Sequence, residues 1–131
     1  MLYEKKAIGT VDAVCERLCE ATVAHNFGVL GIHDLKRKMA DKGVSFAREC
    51  RVIEVCNPQQ AKAVLEENMA ISTALPCRIA VYEEKDAVKI STLKPTAVLA
   101  MFGTEELDSV AQDVENTIVQ IIDAACSPRD C

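Results

Sequence analysis

Cysteine is the residue in this chain best placed to do chemistry, with seven in 131 positions. Cys56 opens a Cys56-Asn57-Pro58 turn, and Cys77 closes a Leu75-Pro76-Cys77 run. Asn57 suits a helix N-cap and Pro58 the first helical position, so Cys56 falls between a strand end and a helix start. Unpaired N–H groups and the helix dipole at such a place favour the thiolate, which is both nucleophile and soft-metal ligand. Cys77 begins the next strand. If the two strand ends lie side by side, both sulfurs share one pocket. Three readings of the pair stand open: packing beneath a loop, a functional thiol pair, or ligation of a metal or cofactor.

The other reactive types have plainer explanations. Cys15 and Cys19 are four apart and share an apolar helix face, which assigns them to packing. Cys50 sits inside a strand pattern and reads the same way. Cys126 and Cys131 fall in an expected tail at 126–131. No Cys-x-x-Cys pair or zinc-finger spacing is present, so no metal site is expected. His25 ends a helix, where a structural role suffices. His33 ends a strand beside Asp34 and could act as a base or as a ligand to a metal or haem; a surface turn is the simpler reading. Met39 and Met101 are expected to pack rather than ligate. Glu83 and Glu84 are adjacent in a strand and face opposite sides, which makes them a poor acid/base pair. Gly-x-Gly-x-x-Gly, phosphate-loop and Gly-x-Ser-x-Gly signatures are absent.

Composition narrows the classes further. Half the residues are hydrophobic, enough for one folded domain with a sizeable core. Aromatics are few and Trp is absent, so Val, Ile, Leu, Ala and Cys must fill that core. A net charge of −5 argues against nucleic-acid binding, and the single basic run Lys36-Arg37-Lys38 suits a solvated helix side. No apolar stretch approaches the ~18 residues of a membrane helix. The opening Met1-Leu2-Tyr3-Glu4-Lys5-Lys6 has no signal-peptide character, and the cysteine number is odd. Cytoplasmic residence without a disulfide framework is therefore expected.

Elements that would position these residues follow from spacing. An edge strand is expected over Leu2 to Ile8. Thr10 caps a helix with Val11, Val14, Cys15, Leu18, Cys19 and Thr22 on one face. Phe27 to Ile32 reads as a strand apolar on both sides and hence central, with Gly28 and Gly31 marking a bulge or close contact. Asp34 starts a short helix that Gly43 ends. Phe46 to Val55 reads as a long strand. Asn57 and Gln60 form a capping box for a helix burying Ala61, Val64 and Leu65. Ile71 to Pro76 is a connection. Cys77 to Glu83 alternates and turns near Lys85 and Asp86 into a partner strand with Val88 and Ile90. Lys94 and Pro95 break the pattern. Thr104 caps a last helix striped by Leu107, Val110, Ala111, Val114, Ile118, Ile121 and Ile122.

Asn26-Phe27-Gly28-Val29-Leu30, Lys42-Gly43, Glu54-Val55-Cys56-Asn57-Pro58 with Ala61 and Leu65, and Leu75-Pro76-Cys77 recur in an order that resembles the DUF302 domain, also described as TT1751-like. The resemblance covers roughly residues 1 to 125. Asn26 and Ser72 depart from it, since the family pattern favours Gly at both places. The resemblance implies a compact two-layer domain, a homodimer, and no settled activity. The expected fold is thus an α+β two-layer sandwich, a mainly antiparallel sheet with helices packed on one face.

Two functions compete. One is a homodimeric binding module whose pocket near the Cys-Asn-Pro turn holds a small molecule or a cofactor such as haem. Its expected lining is Phe27, Gly28, His33, Cys56, Asn57 and Cys77. The other is thiol-dependent sulfur transfer or redox sensing, with Cys56 as thiolate and Cys77 as its partner. A third, bland reading is a purely structural or interaction role.

Overall fold

In the computed structural model, which describes residues 1–128, five strands and five α-helices follow one another along the chain. The order is β1 (Leu2–Ala7), α1 (Val11–Ala24), β2 (Gly28–Asp34), α2 (Leu35–Asp41), β3 (Cys50–Cys56), α3 (Pro58–Glu67), β4 (Cys77–Glu84), β5 (Ala87–Leu93), α4 (Pro95–Ala100) and α5 (Asp108–Ala125). Short 3-10 turns at Met69–Ala74 and Glu105–Leu107 lead from α3 to β4 and from α4 to α5. The sheet runs β1-β5-β4-β3-β2, and each pair is antiparallel. The fold is α+β, as the pattern of strands and helices implied.

Alternation decides which side of the sheet is buried. Ile53 and Val55 of β3, Ile79 and Val81 of β4, and Ile90 of β5 project to one face. There they meet Val14 and Leu18 of α1 with Ile118, Ile121 and Ile122 of α5. All of these are completely shielded from solvent. Thr22 is shielded too, and its hydroxyl donates to Leu18 O at 2.7 Å, so no buried polar group is stranded there.

The end of α1 is set by backbone chemistry at Asn26. Asn26 adopts φ 65°, Asn26 N donates to Val23 O and Phe27 N to Thr22 O. This is the paired-bond helix ending that needs a left-handed residue, usually Gly and sometimes Asn. Asn26 meets that demand in place of the more usual Gly.

Three expectations need correction. β2 is an edge strand and not a central one, with Leu30 and Ile32 62% and 51% exposed. Its second apolar side has no helix to meet, and the register shifts between Val29 and Gly31 at the expected bulge. β3 begins at Cys50 rather than Phe46, because β4 pairs with it only as far as Cys50 opposite Tyr82. Phe46 instead lies under the Arg48 guanidinium, 5.5 Å from the ring centre. Thr104 does not cap α5; its hydroxyl donates to Phe102 O, and a 3-10 turn intervenes before Asp108.

The expected tail is partly tied down. Ile8 N donates to Cys126 O at 2.8 Å, and Cys126 Sγ donates to Ile122 O. Cys131 lies outside the described residues. None of the described helices is long and apolar enough to cross a membrane.

Candidate functional site

The C-terminal ends of β3 and β5 and the N-terminal ends of β1 and β4 share one edge of the structure. A proline-containing segment leaves or enters the sheet there three times, at Asn57-Pro58, Leu75-Pro76 and Lys94-Pro95. Pro cannot extend a strand ladder, so each segment turns away from the sheet. Pro58 and Pro95 start α3 and α4, and the Leu75–Pro76 peptide is cis. The turned-away chain leaves a cleft of about 470 Å³ between the sheet end and the helices. That volume lies within the range of small-molecule sites, about 300–1,000 Å³.

The cleft wall is mostly apolar. Val52, Val64, Leu75, Val98 and Leu99 contribute, together with Cys56 and Cys77. The helix start beside it is well made: Asn57 Oδ1 accepts from Gln60 N at 3.1 Å, and Asn57 Nδ2 donates to Asn26 O at 3.4 Å. Half of the expected capping box is therefore present. The other half is missing, because Gln60 Oε1 is buried without a hydrogen-bond partner. At the far wall, Thr96 N and its hydroxyl donate to Glu115 of α5, which pins the start of α4. Lys94, the residue at the cap position itself, supplies no side-chain bond.

Of the expected site residues, Phe27, Cys56, Asn57 and Cys77 line this cleft. Gly28 pairs with Cys56 across the β2–β3 ladder and supports the wall from behind. His33 belongs to the other end of β2. Its Nε2 stands 3.2 Å from Glu54 Oε1 and its Nδ1 2.7 Å from Lys38 Nζ, so it serves a surface charge cluster and not the cleft. Gly31 makes room for that cluster, since a Cβ there would approach Glu54 Oε1 to 3.2 Å. Met101 is 76% exposed at the cleft rather than packed.

The two thiols meet the same cleft from opposite sides of the sheet. Val55 is the ladder partner of Cys77, so those two point the same way, toward the helices. Cys56 is the next residue along and points the other way. Two cysteines whose Cβ vectors diverge cannot be bridged without backbone movement. Burial pushes the Cys77 thiol up to about 11, with Cys56 nearby adding to the effect. Burial also pushes Cys56 up, opposite to the lowering expected of a thiol before a helix start. Among the described residues, no three His, Cys, Asp or Glu side chains gather in a metal-holding group.

Several wall residues escaped the sequence reading. Pro95, Val98 and Leu99 follow the Lys94-Pro95 break in the strand pattern and line the cleft from α4. Pro at a first helical position followed by Ala97, Val98 and Leu99 was the available signal. Gln60 was assigned wholly to capping. Ala80 and Ser91 lie on the sheet face away from the core, and nothing in their local pattern marks a cleft.

A family model described as "Domain of unknown function DUF302" matches residues 3–125. The chain is also similar to a solved structure, the crystal structure of an uncharacterised conserved DUF302 protein from Bacillus stearothermophilus. The two share 33% identity with a TM-score of 0.90, over 95% of this chain and 97% of that one. No protein with a curated description matches.

Proposed function

This chain belongs to the DUF302 family, and from that premise we propose that it is a binding module whose cleft at the Cys-Asn-Pro turn takes a small, largely apolar molecule. The observation that carries the proposal is the cleft itself. Three proline-containing segments hold it open beside a core that is otherwise closed, and its walls are mainly aliphatic. A compact domain of this size has little reason to leave aliphatic surface uncovered unless something covers it in use. No cofactor is assigned, because the wall presents no ligand set that favours one.

A cleft-blocking variant tests the reading. Ala80→Trp places a large ring on the cleft wall without touching the helix-covered core. Binding of a fluorescent naphthalene probe should be saturable in the native protein and at least about tenfold weaker in the variant, an affinity loss of about 1.4 kcal/mol. Equal binding to both proteins would remove the cleft from consideration.

The thiol reading is second. In its favour, Cys56 and Cys77 line one cleft. Against it stand the upward pull of burial on both thiols and their opposite directions from the sheet. Homodimerisation is part of the proposal on the strength of the family resemblance and of the adjacent, exposed Leu2 and Leu93 on the uncovered sheet face. Sedimentation equilibrium reports it directly, and a monomer at tens of micromolar would reject it. Cytoplasmic residence fits six described cysteines that are all unpaired, as a reducing compartment keeps them.

A further inference from the structure

Among the described residues that line the cleft, Arg78 alone carries a charge. It is the second residue of β4 and sits opposite Glu54, while its neighbour Ile79 points into the covered core. Alternation therefore places the Arg78 side chain on the outer face of the sheet. Cys56, Ala80 and Leu93 share that face and line the cleft around it. The Arg78 side chain is 56% exposed, so its guanidinium is open to a ligand at the cleft mouth.

Other polar side chains at the wall are engaged within the chain. Ser91 Oγ is 2.7 Å from the Tyr82 hydroxyl and also donates to Glu4. Thr92 Oγ1 donates to Arg78 O at 2.7 Å, and Thr73 Oγ1 donates to Ala70 O at 2.8 Å. Arg78 is held more loosely. Its Nε stands 3.6 Å from Glu54 Oε2, beyond hydrogen-bond length, and an exposed pair of that kind is weak. Glu54 has a second partner, because His33 Nε2 lies 3.2 Å from its Oε1. Arg78 can thus turn to an incoming anion without leaving Glu54 alone. Lys38 Nζ, 2.7 Å from His33 Nδ1, ends the row. The row sets two fixed cations, Lys38 and Arg78, against the one carboxylate of Glu54, a local positive surplus in a chain of net charge −5.

We propose that the cleft selects an amphipathic carboxylate, whose single carboxylate pairs with the Arg78 guanidinium at the mouth while its apolar body lies along Val64, Val98 and Leu99. The inference rests on the binding reading above and adds to it the class of ligand and the residue that discriminates. The fork of guanidinium N–H groups matches a planar carboxylate two bonds at a time. In apolar sites a few placed polar groups fix orientation and specificity, and Arg78 is the group left for that task. A cation would be repelled by Arg78. A dianion would keep one charge uncompensated between Glu54 and an aliphatic wall.

Two matched probes separate the possibilities. 2-Naphthoate and 2-naphthamide have the same rings and nearly the same shape, and at neutral pH only the first is charged. Calorimetric titration of the native chain should show 2-naphthoate bound about tenfold more tightly, the ratio that one charge-assisted pair of modest net strength supports. In Arg78→Gln the preference should vanish. Glu54→Gln changes a residue outside the cleft wall, frees Arg78 from its partner and removes the carboxylate that repels a bound anion. There the preference for 2-naphthoate should rise above the native ratio. The ratio is read within each protein, so a change in the cleft that affects both probes cancels. Should Arg78→Gln bind neither probe, the ratio in Glu54→Gln decides alone. If the native chain binds both probes equally, if Arg78→Gln keeps the preference, or if Glu54→Gln fails to raise it, the inference is overturned and the binding reading survives. If neither probe binds the native chain, both are overturned.

Discussion

The helix-covered side of the sheet and its proline-lined end use the same side chains to opposite effect. On the covered side, Ile53, Ile79, Ile90, Leu18 and Ile121 close on one another and none is exposed. At the sheet end, Leu75, Val98 and Leu99 stand around a space of about 470 Å³ that they do not fill. The difference lies in how the chain leaves the strands. α1 and α5 lie against the sheet and bring apolar faces flush to it. Pro58, Pro76 and Pro95 carry the chain away from the sheet end, so the walls face each other across a gap. Apolar composition alone therefore does not distinguish core from binding surface; the path of the backbone does.

Truncation should separate the two regions most widely. Ile121→Ala removes a wholly buried side chain from the closed core and should cost about 2–5 kcal/mol. Leu99→Ala, at a partly open wall, should cost clearly less, under about 2 kcal/mol. Urea unfolding measures both. Equal losses would mean that the cleft is packed like the core, and the comparison would break.

Asn57→Ala should follow, with a loss of about 1 kcal/mol from the missing cap on Gln60 N. Because Asn57 also anchors the turn to Asn26 O, the same variant should weaken probe binding. A stability loss with unchanged binding would show that the turn supports the fold alone.

A smaller effect is expected in alkali. Burial pushes Cys15, in the core, and Cys77, at the cleft, each up to about 11. A raised thiol binds more protons folded than unfolded, so its contribution is complete below the unfolded thiol value. That contribution is lost as pH climbs from ~8.5 toward the folded value. Stability should therefore decline through this window. Serine at Cys77 should flatten the decline in part; no change on substitution would mean that Cys77 does not titrate late.

The smallest contrast is kinetic. At pH 8.5, iodoacetamide should label Cys56 more slowly than a free thiol, and Cys77 more slowly still. Rapid labelling of Cys56 would revive the thiol reading.

Much of the fold was legible in the residues. Thr10, Asp34, Asn57 and Pro58 mark helix starts that the structure contains, because caps act through local backbone geometry. The alternation of Cys77, Ile79 and Val81 gave the covered face of β4 correctly. The order of strands was not legible: β2 is apolar enough to suit the middle of a sheet, and only long-range pairing puts it at the edge. Four of the six expected site residues meet at the cleft, because two motifs sit at strand ends that share an edge. His33 does not, since it lies near the far end of β2 from Gly28 and its ring turns to Glu54 and Lys38. Gln60 was hidden by its own plausibility as a capping partner. Its backbone N–H does join the cap, and its side chain does not.

The measurement closest to the central claim is a carbon–proton NMR titration with 1-naphthol, following methyl signals. Val64, Val98 and Leu99 at the cleft should shift together and saturate, while Ile121 and Ile122 in the closed core stay in place. Absent shifts, or shifts spread over the core methyls with none at α3 and α4, would contradict the assignment of the cleft as the binding site.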